Sequence, residues 1–176
     1  MYTNCDVLTA GKKLELLNLV EAEKPQVIAL TEIKPKQGMA LSPEILTVAG
    51  YDEVFHNLDN PGRGIAVLCR KGIKATLNKG VEYSNFSEVI LINIELEKSR
   101  LILGTIYRSP NSAEDNVLAL TRLIDCLCLK EREFILVGDF NFPSINWMDE
   151  CATGVRRLDR IFQRAVVDNL LAQHVD

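Results

Sequence analysis

The stretch Ile135-Leu-Val-Gly-Asp-Phe-Asn-Phe-Pro-Ser-Ile-Asn-Trp147 passes abruptly from a run suited to a protein core to a carboxylate and a carboxamide two positions apart. A short apolar run bounded by turn-forming residues reads as a strand, Phe134–Val137, and Asp and Asn placed just after it start turns by bonding their own backbone. The lip of a strand is also where ligand sites gather, because the sheet holds the groups rigidly while the loops leave room for substrate. Asp139 and Asn141 are therefore candidate site residues by position, and the question becomes whether other strands end the same way.

They do. Gln26-Val-Ile-Ala-Leu-Thr-Glu32 ends in Glu32, and Leu101-Ile-Leu-Gly-Thr-Ile-Tyr107 ends in Tyr107 with Arg108 beside it. Asn4 and Asp6 occupy a similar place after a short strand near the N-terminus. Any one of these has a structural reading as a turn starter or a sheet-edge cap. Taken together, Glu, two Asp, two Asn and a Tyr form an all-oxygen set suited to a hard cation such as Mg²⁺ and to phosphate chemistry.

Outward from these points, apolar periodicity predicts a helix over about Gly11–Glu23 with Leu14, Leu17 and Val20 on one face, closed by Lys24-Pro25. A loop rich in Lys and Pro, Ile33 to Pro43, leads to strand-like runs at Tyr51–His56, Arg63–Arg70, Ile73–Asn78, Glu88–Glu95 and Leu101–Tyr107. Asn60-Pro61-Gly62, Lys71-Gly72 and Glu97-Lys98-Ser99 mark the turns of a middle with antiparallel character. A second helix is expected at about Ala113–Leu129. A third is expected at about Val155–Ala172, with Val155, Leu158, Ile161/Phe162, Ala165/Val166 and Leu170 as its apolar stripe. Strands mixed with helices point to sheets covered by helices in one α/β or α+β domain.

Composition sets outer limits. With 176 residues and 47% apolar content the chain can bury a core. No apolar run reaches the roughly 20 residues that span a bilayer, and no signal-peptide pattern opens the chain, so an intracellular location without membrane is expected. Cys5, Cys69, Cys126, Cys128 and Cys151 are scattered, with no Cys-x-x-Cys pair, and read as reduced thiols, Cys126 and Cys128 packed in a helix. A net charge of −4 gives no general attraction to a polyanion, so nucleic-acid contact must come from local clusters. Arg156, Arg157, Arg160 and Arg164 are one such cluster, equally readable as a solvated helix face.

In series, Thr3-Asn4-Cys5-Asp6, Val27-Ile-Ala-Leu-Thr-Glu32, Gly62-Arg-Gly-Ile-Ala-Val67, Ile106-Tyr-Arg-Ser-Pro-Asn111, Ile135-Leu-Val-Gly-Asp-Phe-Asn-Phe-Pro and Gly154–Val175 resemble the endonuclease/exonuclease/phosphatase superfamily. Within it, the nearest likeness is to the apurinic-type endonuclease domain that precedes the reverse transcriptase of non-LTR retrotransposons. The resemblance implies a four-layer αββα sandwich of two mainly antiparallel sheets and a Mg²⁺-dependent phosphodiesterase, with Mn²⁺ as a substitute. It implies that Glu32 binds the metal with Asp6 and Asn4 at its edge, and that Asp139 orients and deprotonates water. Asn141 then holds the water or the scissile phosphate, Tyr107 donates to a phosphate oxygen, and Arg108 steers the backbone. DNA is the implied partner, with a reverse transcriptase domain if the chain belongs to a longer product, and a nuclear location if chromosomal DNA is cut.

The family pattern ends in a Ser-Asp-His element without counterpart in residues 1–176, and only Met1–Thr3 precede Asn4 where a whole strand is expected. The expectation is thus one domain over 1–176 lacking its last strands, with an open sheet edge and hydrolysis weak or lost. The competing readings are a catalytically silent remnant that binds nucleic acid or protein, and a phosphatase or phosphodiesterase acting on a small or lipid phosphate. His56 is read as an exposed strand-end residue and His174 as a helix-end residue. Gly62-Arg63-Gly64 is read as a turn into a strand, not a phosphate cradle. Phe140, Phe142 and Trp147 are read as packing around their loop in preference to stacking on bases.

Overall fold

The computed structural model describes residues 1–35, 41–58, 62–78, 84–131, 133–147 and 156–174. Asn60-Pro61, Cys151, Gly154, Val155 and Val175 lie outside the described residues. Two compact units result: Met1–Lys79 with Glu88–Tyr107 and Glu133–Asp139, and Gly80–Ser87 with Arg108–Arg132 and Phe140–Asp176.

The first unit contains two four-stranded sheets. One has the order β1-β2-β4-β3, made of β1 (Tyr2–Asn4), β2 (Val27–Thr31), β3 (Tyr51–His56) and β4 (Ile65–Arg70). The other has the order β5-β6-β7-β8, made of β5 (Ala75–Asn78), β6 (Val89–Glu95), β7 (Arg100–Tyr107) and β8 (Phe134–Asp139). The strands from Tyr51 to Tyr107 are therefore divided between two sheets. The antiparallel character holds for β2/β4, β3/β4, β5/β6 and β6/β7, whereas β1/β2 and β7/β8 are parallel.

β4 shows why its sequence, Ile-Ala-Val-Leu-Cys, is apolar throughout. Side chains alternate between faces along a strand. Ile65, Val67 and Cys69 face a core shared with Ile90, Ile92, Ile94 and Leu103 of the other sheet. Ala66 and Leu68 face the opposite core, with Ile28, Leu30, Leu16 and Val20. A strand covered on both faces has no polar side to present, and each large side chain so buried stabilises by roughly 1.5–3 kcal/mol.

α1 (Ala10–Glu23) covers the outer face of the first sheet. Thr9 caps its start by accepting from the Lys12 amide at 3.3 Å, and Lys24 ends it in a left-handed conformation. Its buried residues are Leu16 and Val20, with Leu17 partly covered, while Leu14 is 61% exposed. Leucines lie on nearly every side of this helix, so periodicity alone does not select the inner face. The rotation agrees with contacts made by two lysines: Lys12 Nζ donates to the carbonyls of Cys5 and Asp6, and Lys13 Nζ to those of Ile45 and Thr47.

The second unit contains α2 (Glu114–Lys130) and α3 (Arg157–Asp168). α2 buries Val117, Leu120, Leu123, Ile124 and Leu127, and Cys126 and Cys128 are half-buried free thiols. α3 is shorter than its periodicity predicts; of the expected stripe Phe162 is buried and Leu158, Ile161, Ala165 and Val166 are half-buried, but Asp159 and Gln163 are buried as well. Asp159 accepts from the Ser144 amide at 3.3 Å and from the Ser144 hydroxyl, and Gln163 donates to the Asn146 carbonyl at 3.0 Å. Both polar side chains are buried because they hold the preceding loop. Leu170, expected in the stripe, lies past the helix end and is 91% exposed. His174 is likewise an exposed residue beyond the helix, not at its end, and His56 is half-buried with a buried Nδ1 that has no hydrogen-bond partner. No helix among the described residues is long and apolar enough to cross a membrane.

Candidate active site

Pairing register places the strand ends in the first unit. β1 and β2 run parallel with Asn4 opposite Thr31, so Asn4 and the next residue after β2, Glu32, emerge at one end. β7 and β8 run parallel with Tyr107 opposite Asp139. That second register depends on Gly138, whose φ is +150° and where a Cβ atom would lie 1.9 Å from the Ile106 carbonyl oxygen. Only glycine lets β8 approach β7 this closely at the step before Asp139.

Three predicted residues meet directly. Asn4 Nδ2 donates to Glu32 Oε1 at 2.9 Å and to Asp139 Oδ2 at 3.0 Å, bridging carboxylates from both sheets. Asn4 Oδ1 in turn accepts from the Asp6 amide at 3.0 Å. Beyond β1 the chain stays beside the end of β2, with the amides of Cys5, Val7 and Leu8 donating to the carbonyls of Thr31, Glu32 and Ile33. This alignment uses left-handed backbone at Asp6 (φ 38°), Val7 (69°) and Glu32 (53°). Such conformations cost free energy and persist where surrounding bonds over-determine them. Lys12, clamping the carbonyls of Cys5 and Asp6, is one of those bonds.

Arg63, which from sequence is part of the turn Gly62-Arg63-Gly64 and the start of the strand-like run Arg63–Arg70 with no site role, joins them. Arg63 is 6% exposed, and its Nη2 lies 2.6 Å from Glu32 Oε2 and 2.8 Å from Asp6 Oδ1. The turn itself is as expected, with Gly62 and Gly64 at φ 107° and 75°. Arg63 reaches Glu32 because β4 pairs antiparallel to β2 with Ile65 opposite Thr31, so the residues just before β4 stand beside the residue just after β2. The signal lay in the register of two strands far apart in sequence, not in the local motif.

Tyr107 is buried, and its amide donates to the Glu88 carbonyl at 3.0 Å. Burial foremost, then the negative charge of Glu32, pushes its phenol up to about 12, with Glu88 and Asp139 adding to the effect and Arg63 opposing it. The phenol therefore stays protonated at neutral pH and is a donor. Burial also pushes the Cys5 thiol up to about 11.

In the second unit, Arg108 and Asn141 hold one another. Arg108 Nη1 donates to the Asn141 carbonyl at 2.8 Å, and Asn141 Nδ2 donates to the Arg108 carbonyl at 2.7 Å. Asn141 is left-handed at φ 53°. The Arg108 guanidinium is buried over the Phe142 ring at 4.1 Å. Phe142 stacks on Phe162 at 4.2 Å between centroids, with Phe140 at 5.5 Å and the Trp147 edge at 6.5 Å, the packing arrangement expected of these aromatics. Of the arginine cluster, Arg157 donates to Glu114 at 2.7 Å on an exposed face.

Among the described residues no group of three or more His, Cys, Asp and Glu side chains is placed to hold a metal ion. At these strand ends the carboxylate oxygens of Glu32 and Asp139 are drawn together through the Asn4 carboxamide. Carboxylate and carboxamide oxygens are hard donors, a set that suits Mg²⁺ better than a softer metal.

The model of the Endonuclease/Exonuclease/phosphatase family matches residues 1–170. Among solved structures, the endonuclease domain of TRAS1, a telomere-specific non-LTR retrotransposon, is 12% identical with a TM-score of 0.65, covering 96% of this chain and 70% of that one. The AP endonuclease LMAP from Leishmania major is 18% identical with a TM-score of 0.67, covering 96% and 65%. The 3′ phosphatase NExo from Neisseria, bound to product DNA hairpin, is 15% identical with a TM-score of 0.57, covering 96% and 69%. The chain thus spans about two thirds of the length of each structure, and at these identities the likeness establishes the fold, an α+β sandwich. No curated protein sequence matches the chain.

Proposed function

The chain belongs to the endonuclease/exonuclease/phosphatase family, and from that membership we propose that it hydrolyses phosphodiester bonds in DNA with a Mg²⁺ ion, as an endonuclease of retroelement type. The observation that carries the reading is the Asn4 carboxamide joining Glu32 and Asp139 at the ends of strands from two sheets. The likeness to structures described as an endonuclease domain, an AP endonuclease and a DNA-bound 3′ phosphatase supports a DNA substrate.

Glu32 would hold the ion, with Asn4 and Asp6 at its edge. When bound, the ion would neutralise charge on the phosphoryl oxygens. Asp139 takes the proton of the attacking water, and its hydrogen bond from Asn4 fixes the direction from which it does so. Tyr107, kept protonated by burial and neighbouring carboxylates, donates to a phosphate oxygen. Asn141 and Arg108 belong to the second unit, where Arg108 is buried and their mutual hydrogen bonds keep both loops in fixed form. Action on chromosomal DNA would place the protein in the nucleus, and a reverse transcriptase domain would accompany it if the chain is part of a longer product.

Purified protein incubated with supercoiled plasmid and Mg²⁺ tests the reading. Asp139→Asn and Glu32→Gln are each expected to lower the nicking rate by about 10²–10⁴-fold while leaving the circular dichroism spectrum unchanged. Nicking that survives both substitutions refutes the site. The likeness to the Neisseria 3′ phosphatase favours one second reading, removal of a terminal phosphate from DNA. A hairpin carrying a labelled 3′ phosphate, offered beside the plasmid, separates the two.

A further inference from the structure

Both oxygens of Glu32 are already engaged by the protein. Oε1 accepts from Asn4 Nδ2 at 2.9 Å and Oε2 faces Arg63 Nη2 at 2.6 Å. Arg63 is not a surface residue that happens to reach inward. It is 6% exposed, its Nε donates to the Lys34 carbonyl at 3.0 Å, and its own carbonyl accepts from the Lys34 amide at 2.7 Å. Glycines on either side, both with left-handed φ, deliver it to this place. Asp6, on the surface, takes the same Nη2 at 2.8 Å. A guanidinium cannot be deprotonated in a protein, so the positive charge beside Glu32 is permanent.

We infer that Arg63 is a resident cation of this site: it holds Glu32 in position without metal, with Asp6 as its second anchor, and sets the affinity for the divalent ion by competing for the Glu32 carboxylate. The inference rests on the proposed metal-dependent reading of the site. Two physical roles are thereby distinguished. If Arg63 were only a strut, its loss would free Glu32 to swing away and divalent binding would weaken. As a competitor of like charge a few ångströms from the ion, its loss strengthens divalent binding, because Coulomb repulsion at that range in a partly buried site is large compared with thermal energy.

The test needs no nucleic acid and no turnover. Metal-stripped wild type, Arg63→Gln and Arg63→Lys are titrated with Mn²⁺ alone, free ion being read by electron paramagnetic resonance and folding by circular dichroism. Arg63→Gln is expected to bind Mn²⁺ about tenfold or more tightly than wild type, and Mn²⁺ should raise its Tm further than it raises that of wild type. If Arg63→Gln does not fold without metal, Arg63→Lys carries the test. A lysine keeps the charge but lacks the two-pronged grip of the guanidinium, and binding about threefold tighter than wild type is expected. Equal or weaker Mn²⁺ binding by the folded variants, with wild type binding normally, overturns the role of Arg63 and leaves the proposed hydrolysis standing. Absence of Mn²⁺ binding in wild type and variants alike overturns both.

Discussion

Gly138→Ala tests the link between strand packing and the candidate site. An added Cβ would stand 1.9 Å from the Ile106 carbonyl oxygen, 2.7 Å from its carbon and 2.9 Å from the Ile106 nitrogen, all backbone atoms that cannot rotate away. To regain ordinary contact, β8 must part from β7 by roughly 1.5 Å or more, enough to carry the adjoining N–H···O bonds out of range. Two such bonds at about 1 kcal/mol each, with about 1–3 kcal/mol for a side chain forced into a glycine conformation, predict a loss of about 3–5 kcal/mol. Gly104→Ala is the control. Its Cβ would meet Leu136 Cδ2 at 2.5 Å and Leu91 Cδ2 at 3.0 Å, both ends of flexible side chains, so a cost of about 1–3 kcal/mol is expected. Urea unfolding followed by circular dichroism reads both. Gly138→Ala should also depress hydrolysis in the folded fraction, because Asp139 leaves its place beside Asn4. A Gly138→Ala midpoint within about 1 kcal/mol of wild type, or no lower than that of Gly104→Ala, would refute the reasoning.

Phe162→Ala removes the ring that Phe140, Phe142 and Trp147 share, and should cost about 3–5 kcal/mol and shift Trp147 emission to longer wavelength; an unchanged midpoint and spectrum would contradict the cluster. Tyr107, with its phenol raised to about 12 from 10 by burial and by Glu32, should make stability fall between pH 10 and 12. In that window the unfolded chain has lost the proton that the folded chain keeps, and Tyr107→Phe should flatten the fall. Iodoacetamide at pH 8, followed by peptide mass spectrometry, should leave Cys5 unmodified in the folded protein, since the thiol is buried and raised to about 11, and should label it in urea.

Strand ends were legible from sequence because strand period and turn chemistry are local. Asn4, Glu32 and Asp139 could be named from position, and they are the three that meet. What local pattern does not carry is partnership. The division of the middle strands between two sheets depends on which apolar runs pair, and Arg63 enters the site only through the register of β4 against β2. The helices show a different limit. α1 has leucines around most of its circumference, so periodicity does not single out the inner face, whose rotation accords with the contacts of Lys12 and Lys13. α3 buries Asp159 and Gln163 because each has a partner in the loop at Ser144 and Asn146, and a hydrophobicity pattern counts polar residues outward. The phosphate roles of Asn141 and Arg108 come from the family resemblance alone, and the bonds these residues make are to each other's backbone.

The left-handed backbone at Asp6, Glu32 and Asn141 narrows the substitutions that these positions tolerate beyond what their chemistry demands. Asn and Asp visit this conformation more readily than other side chains, so exchanging one for the other at positions 6 and 141 alters charge with little change in local geometry. Glu32 has no such allowance, and a β-branched replacement there would disturb the chain path before any question of ligand arose. Drift at these positions is therefore channelled toward isosteres and glycine, and a chain of this kind that had lost its activity would still be expected to keep much of the outline of its former site.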